Sequence, residues 1–183
     1  NDGSDIPRDQ RAHHRLSPEE RMIGALREQL MLRFIFSVPG MPCIYYGDEA
    51  GMEGCADPFC RRTYPWGHED AQMLARYQAM TAMRNAHPVL RTGECVYLAP
   101  CADVLGVIRK NESGRDAFGS QAENACAVTL INRSAKEVVV YLTAEDVCGA
   151  KTLVTDDGQT LSARGGAFSV KVKGLQGMTG FAE

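Results

Sequence analysis

Four things are missing from this 183-residue sequence, and each absence excludes something. There is no run of lysine and arginine; those residues are dispersed, the net charge is -3 and the pI is near 5.8. A nucleic-acid or acidic-membrane partner is therefore not expected. There is no apolar stretch approaching the roughly 20 residues that a membrane-spanning helix needs. There is no Cys-x-x-Cys pair among the seven cysteines, and His13 and His14 stand far from any of them. That argues against a zinc site and for free thiols of a cytosolic protein, with no metal and no cofactor expected. Finally, no Gly-x-Ser-x-Gly setting surrounds a serine, which excludes a nucleophile elbow.

What is present begins with polar, irregular sequence over residues 1–16. Ser17-Pro18-Glu19-Glu20 then has the composition of a capping box with proline at the first helical position. Ile23, Leu26, Leu30 and Phe34 follow at helical spacing, which predicts a helix over about 18–37, stopped by Pro39-Gly40. Cys43–Tyr46 reads as a short strand buried on both faces. Residues 47–69 form a long loop crowded with carboxylates, arginines, glycines and Trp66, and loops of that length are commonly functional. A second helix is predicted over about 70–86, with Met73, Tyr77, Met80 and Arg84 on one face and His87-Pro88 at its end.

After Gly93 the texture changes to short β-rich runs: 95–98, 104–109, 127–132, 137–142, 151–155 and 167–172. They are separated by turn signals such as Asp157-Gly158 and Gly165-Gly166. Residues 111–125 read as a polar hairpin tip. The tail is thus expected to be a small antiparallel sandwich. A single parallel strand between two helices leaves backbone groups unpaired. The expectation is therefore a C-terminal piece of a larger α/β enzyme, self-associating through its open face.

Several polar residues stand where chemistry is plausible. Asp5 lies in Gly3-Ser4-Asp5-Ile6-Pro7-Arg8, and Asp57 and Arg61 lie in Asp57-Pro58-Phe59-Cys60-Arg61-Arg62. A carboxylate and a guanidinium four apart either pair with each other or form a charged fork for a ligand with adjacent hydroxyls. Asp48 and Glu49 follow the expected strand, but neighbours on an extended segment point oppositely. Trp66 suits either a stacking platform for pyranose rings or a buried plug.

The run from Pro39 to Met52 together with Asp57–Arg62 and Pro65-Trp66 resembles the end of the barrel in the α-amylase family (glycoside hydrolase family 13), nearest to neopullulanases, cyclomaltodextrinases and maltogenic amylases. The resemblance implies an α/β plus all-β fold: the last part of a (β/α)8 TIM barrel (end of strand 7, helix 7, strand 8, helix 8) over residues 1–92, then a C-terminal β-sandwich over 93–183. It implies retaining hydrolysis of α-glucosidic bonds in starch-like or cyclic maltooligosaccharides. Asp5 would be the transition-state stabiliser; Asp57, Arg61 and Trp66 would bind substrate; Arg62 would brace the loop. Ser4 stands where the family has His. Gly47-Asp48-Glu49 is a structural element in that family, and its nucleophilic Asp and acid/base Glu lie in segments this sequence does not contain. A chain with only these residues is expected to be inactive alone. The competing reading is a noncatalytic carbohydrate-binding or interaction module.

Overall fold

A computed structural model describes residues 3–183. Two compact units emerge: residues up to Leu26 together with Cys43–Ala79, and Arg27–Pro42 together with Met80–Glu183.

Helix α1 (Pro18–Ser37) starts where the capping box placed it. The Ser17 N–H donates to Glu20 Oε2 at 2.9 Å and the Glu20 N–H to Ser17 Oγ at 3.2 Å, so two orphan donors are satisfied reciprocally. The bond from the Ser17 N–H is the first cause holding the Glu20 carboxyl below its usual value. Helix α2 (Ala71–Ala86) is capped by Asp70, whose Oδ1 accepts from the N–H groups of Gln72 and Met73 at 2.9 and 3.0 Å. Met73, Tyr77 and Arg84, three of the residues assigned to one face, are buried. A further short helix, α3 (Val89–Thr92), follows His87-Pro88.

The second unit is built on β-strands. A six-stranded antiparallel sheet has the order β1-β2-β3-β8-β5-β6, formed by Glu94–Cys101, Val104–Asn111, Ala125–Asn132, Gln176–Ala182, Thr152–Thr155 and Thr160–Ser162. A two-stranded sheet pairs β4 (Val138–Thr143) with β7 (Ala167–Val172). The strand alternation shows why they stack. Val140 and Leu142 of β4 and Phe168, Val170 and Val172 of β7 are buried, whereas Val139, Tyr141, Ser169 and Lys171 are exposed. Those inward residues meet Val104, Ile108, Cys126, Val128, Leu130 and Leu153 of the large sheet in one core. This is the sandwich expected from the sequence.

The opposite face of the large sheet is covered too, so β2 and β3 are buried almost throughout. Val89 and Leu90 of α3 pack on Ala127 of β3. Polar groups join the rest. The Ser37 hydroxyl meets Thr129 Oγ1 at 2.9 Å, and Arg33 reaches Thr179 Oγ1 at 2.9 Å and Asp156 Oδ2 at 2.8 Å. Gly177 of β8 is required at this face, because a Cβ there would stand 2.7 Å from Arg33 Cδ. Arg109, 1% exposed, donates to the carbonyls of Ser37, Leu90 and Gly93 at 3.0, 2.7 and 2.7 Å. Arg84 donates to Phe36 O and Gly40 O, both at 2.6 Å.

One expectation fails. Cys43–Tyr46 forms no strand; it is irregular backbone with Ile44, Tyr45 and Tyr46 exposed. The physical reason is pairing: a parallel strand needs neighbours on both edges, and among the described residues every ladder is antiparallel and belongs to the sandwich. The β-sandwich half of the anticipated fold is present, and the barrel half is not visible as a barrel.

The buried Arg109 generates a stability prediction. Arg109→Met keeps the stem and removes every donor, leaving buried carbonyls unpaired, and should cost about 3 kcal/mol or more. Arg133→Ala, which removes a partner from an exposed pair with Asp103, should change stability by less than about 1 kcal/mol. Urea unfolding of both variants measures the difference.

Candidate functional site

The anticipated site residues all fall in the first compact unit. Asp57 and Arg61 lie in the loop after Gly54. Arg61 Nε donates to Asp57 Oδ1 at 2.6 Å, and the side chains are 65% and 62% exposed. Of the two arrangements open to this spacing, self-pairing is the one adopted. The Asp57 hydrogen bond raises the Arg61 guanidinium further above neutrality. A solvent-facing pair of this kind gives little stability. It presents instead a carboxylate and a guanidinium side by side, complementary to a vicinal diol whose hydroxyls both donate and accept.

Trp66 is 79% exposed and stacks obliquely on Tyr64, with ring centroids 4.5 Å apart. It is not a buried plug. Its exposed face is the arrangement a pyranose ring can stack against.

Asp5 lies in the turn that opens the described chain; its Oδ1 accepts from the Ser4 hydroxyl at 3.2 Å. Three contacts tie that turn to the Asp57 loop. The Arg8 guanidinium sits 5.6 Å above the Phe59 ring. Arg62 Nη2 donates to His14 O at 3.1 Å and Arg11 O at 3.4 Å. Gly3, at φ 75°, closes on Cys55, where a Cβ would meet Sγ at 2.6 Å. Arg62 thus braces the loop. The loop also returns to the Tyr45–Tyr46 segment, since the Tyr46 hydroxyl donates to Arg62 O at 3.0 Å.

Arg11 was not singled out from the sequence. Its Nε donates to Ile6 O at 2.8 Å and its Nη2 to Ser4 O at 2.9 Å, which fixes the backbone on both sides of Asp5. Nothing in the local pattern marks it, because the acceptors are carbonyls and carry no side-chain identity. Glu53 is a second such residue: Oε2 accepts from the Leu16 N–H at 3.0 Å and Oε1 pairs with Arg21. It borders a small cleft of about 290 Å³ beside Arg15, Arg62 and His68. A cleft of about 700 Å³ lined by Leu30, Met31, Phe34 and Ile131 contains none of the anticipated site residues. Among the described residues, no group of three His, Cys, Asp or Glu side chains could hold a metal ion.

Asp48 and Glu49 sit in the turn after Tyr46. Glu49 Oε2 accepts from the Gly47 N–H at 2.9 Å, closing the turn after Tyr46. Burial, and then the Glu49 charge, push the Asp48 carboxyl above its ordinary value. A carboxyl raised in the folded state contributes stability below its unfolded pKa and loses it as pH rises through the folded one. Ionised Asp48 is therefore a burden at neutral pH. Asp48→Asn should raise the urea midpoint at pH 7, and the gain should vanish by roughly pH 2.5, where both states are protonated; an equal gain at both pH values would contradict burial as the cause.

Comparison with known proteins follows the same lines. No family model matches the chain. It is 33% identical over 170 residues to an amylopullulanase of Thermoanaerobacterium saccharolyticum, covering 88% of this chain and 13% of that protein. It is 43% identical over 72 residues to a cyclomaltodextrinase of a Bacillus species, covering 38% of this chain and 13% of the relative. The fold superimposes on the crystal structure of an Anoxybacillus α-amylase with a TM-score of 0.74 at 23% identity, covering 86% of this chain and 32% of that one. The chain spans only 5% to 13% of the length of the amylopullulanases it matches. It is homologous to part of the amylopullulanase, cyclomaltodextrinase and maltogenic amylase sequences, and its fold is that of the matching part of an α-amylase.

Proposed function

We propose that this chain supplies the closing part of an α-glucan-cleaving site, residues 1–92 as the C-terminal part of a catalytic (β/α)8 barrel and 93–183 as its β-sandwich. The reaction is retaining hydrolysis of α-glucosidic bonds in starch-like or cyclic maltooligosaccharides. In this reading the Asp57–Arg61 fork grips the hydroxyls of one glucose unit. Trp66 stacks on a ring face. Asp5 accepts hydrogen bonds from ring hydroxyls that strengthen as positive charge develops at the anomeric carbon. Arg62 holds the two loops at a fixed separation and Arg11 fixes the backbone around Asp5, which is the positional control that such stabilisation requires.

The observation that carries the proposal is the exposed Asp57–Arg61 pair at 2.6 Å, on a loop whose following arginine donates to the carbonyls of the Asp5-bearing segment. The names of the relatives support the substrate class. Retaining cleavage takes two carboxyl groups about 5 Å apart flanking the bond. Glu49 is held by the Gly47 N–H, and in the resemblance Gly47-Asp48-Glu49 is a structural element, so the chain by itself should not turn over substrate.

Two measurements test this. Purified 1–183 should release no sugar from maltotriose or cyclodextrin; turnover would overturn the division of roles. Calorimetric titration with maltoheptaose should show weak saturable binding that Trp66→Ala and Asp57→Ala abolish. Binding unaffected by those substitutions would instead favour a noncatalytic module using the exposed aromatics Tyr97, Phe118 or Tyr141.

Self-association belongs to the same reading. Met22, Ile23 and Met31 of α1 and Met41 after it are exposed apolar side chains, and such surface favours a second copy. Light scattering should give a mass above 20.0 kDa; a strict monomer at tens of micromolar would exclude it.

A further inference from the structure

Cys126 is the second residue of β3, 3% exposed and part of the sandwich core. A 3₁₀ turn, Glu145–Val147, follows β4 and anchors the fully buried Val147 in the same core. The next residue, Cys148, is exposed and takes the left-handed conformation, φ 54°. That turn is firmly held. The Thr143 N–H and hydroxyl donate to Asp146 Oδ2 at 2.7 and 2.8 Å, and the Gly149 N–H donates to Ala144 O at 2.7 Å. The turn brings Cys148 to the same cleft that Cys126 lines. The Cys126 S–H donates to Asp146 O at 3.9 Å, the carbonyl two residues before Cys148. Both line one open cleft of about 470 Å³, so solvent reaches the pair from the Cys148 side.

We propose that Cys126 and Cys148 form a redox-responsive pair, with exposed Cys148 the residue that meets a peroxide and buried Cys126 the one that resolves it to a disulfide. In the first step the Cys148 sulfur attacks hydrogen peroxide. An S–O bond forms, the O–O bond breaks, and one water leaves, giving a sulfenic acid. In the second, the Cys126 sulfur attacks the Cys148 sulfur. The S–O bond breaks, the S–S bond forms, and the sulfenic oxygen leaves as water with the Cys126 proton. Two thiols lose two electrons and one peroxide becomes two waters.

The surroundings make the reduced state the resting one. Burial pushes both thiols above their ordinary values, and the thiolate is the reactive form. Lys110 and Glu112, paired at 2.7 Å, flank them with opposite effects. The pair therefore answers sustained oxidant, not ambient traces. The bond would tie β3 to the connection leaving β4, on the other sheet. It would remove freedom from the unfolded chain more than from the folded one, and so stabilise the sandwich.

The test uses the whole chain and does not depend on the α-glucan reading. Hydrogen peroxide followed by peptide mapping should give a linked Cys126–Cys148 peptide, reversible by dithiothreitol, and a Tm higher by roughly 5 °C. Cys148→Ser should fold with an unchanged circular-dichroism spectrum and lose both the linked peptide and the Tm rise. Recovery of Cys148 as a sulfenic or sulfinic acid beside an unmodified Cys126 would overturn the proposal, as would linkage of either cysteine to another position.

Discussion

The carbonyl end of α1 is closed by two arginines that the helix does not itself supply. α1 has no basic residue in its last turn. Its terminal carbonyls are accepted into the fold by Arg84 of α2, which takes Phe36 O and Gly40 O, and by Arg109 of β2, which takes Ser37 O. Arg109 also takes Leu90 O and Gly93 O, so one buried guanidinium joins the ends of α1 and α3 to the middle of a strand. Orphan carbonyls and the negative end of the helix dipole are neutralised together. Burial lowers both guanidinium groups from their ordinary value, but an arginine still keeps its charge in a protein. Large, planar and permanently cationic, it is the side chain able to serve three carbonyls at once. Helix packing on this face of the sheet follows from that geometry, with Ser37, Thr129, Thr179 and Arg33 filling the layer around it.

Two Arg–Asp contacts of nearly the same length therefore have opposite uses. Arg33 and Asp156, 2.8 Å apart and almost closed to solvent, have no further ligand to take, because Asp156 Oδ1 already accepts from the Thr179 N–H. Arg61 and Asp57, 2.6 Å apart, are open to water on most of their surface. Desolvation of the first pair is compensated by its hydrogen-bond network. The second stays hydrated on most of its surface. Exposure, more than distance, separates a structural ion pair from one available to a ligand.

Much of this was written in the sequence where local chemistry decides. Ser17-Pro18-Glu19-Glu20 placed the start of α1, a helix over about 70–86 anticipated α2, and the β-rich runs 137–142 and 167–172 anticipated β4 and β7. β8 was not anticipated. Its glycines, Gly177 and Gly180, argue against a strand by propensity, yet it lies between β3 and β5. Gly177 is there because Arg33 crosses it, where a Cβ would stand 2.7 Å from Arg33 Cδ, a requirement set by a residue far away in sequence. Cys43–Tyr46 shows the converse. Its composition favours a strand, but strand formation is a property of pairs, and no described segment pairs with it.

The site was legible to the same degree. The spacing of Asp57 and Arg61 left self-pairing and a fork both open, and the structure has the pair; the resemblance gave Arg62 to bracing, and its guanidinium donates to the carbonyls of Arg11 and His14. The side chains that hold Asp5 were hidden, because Arg11 and Arg62 act on carbonyl oxygens of Ser4, Ile6, Arg11 and His14, and any residue presents a carbonyl. This has a consequence for how such a site tolerates change. The residues bound by Arg11 and Arg62 can vary in side chain without loosening the loop, whereas the arginines themselves cannot be exchanged for lysine, which lacks the planar fork needed to span two carbonyls. Ser4 illustrates the point. Its side chain differs from the family pattern, but its carbonyl is the part that Arg11 holds, so the backbone around Asp5 keeps its anchor whichever side chain occupies position 4.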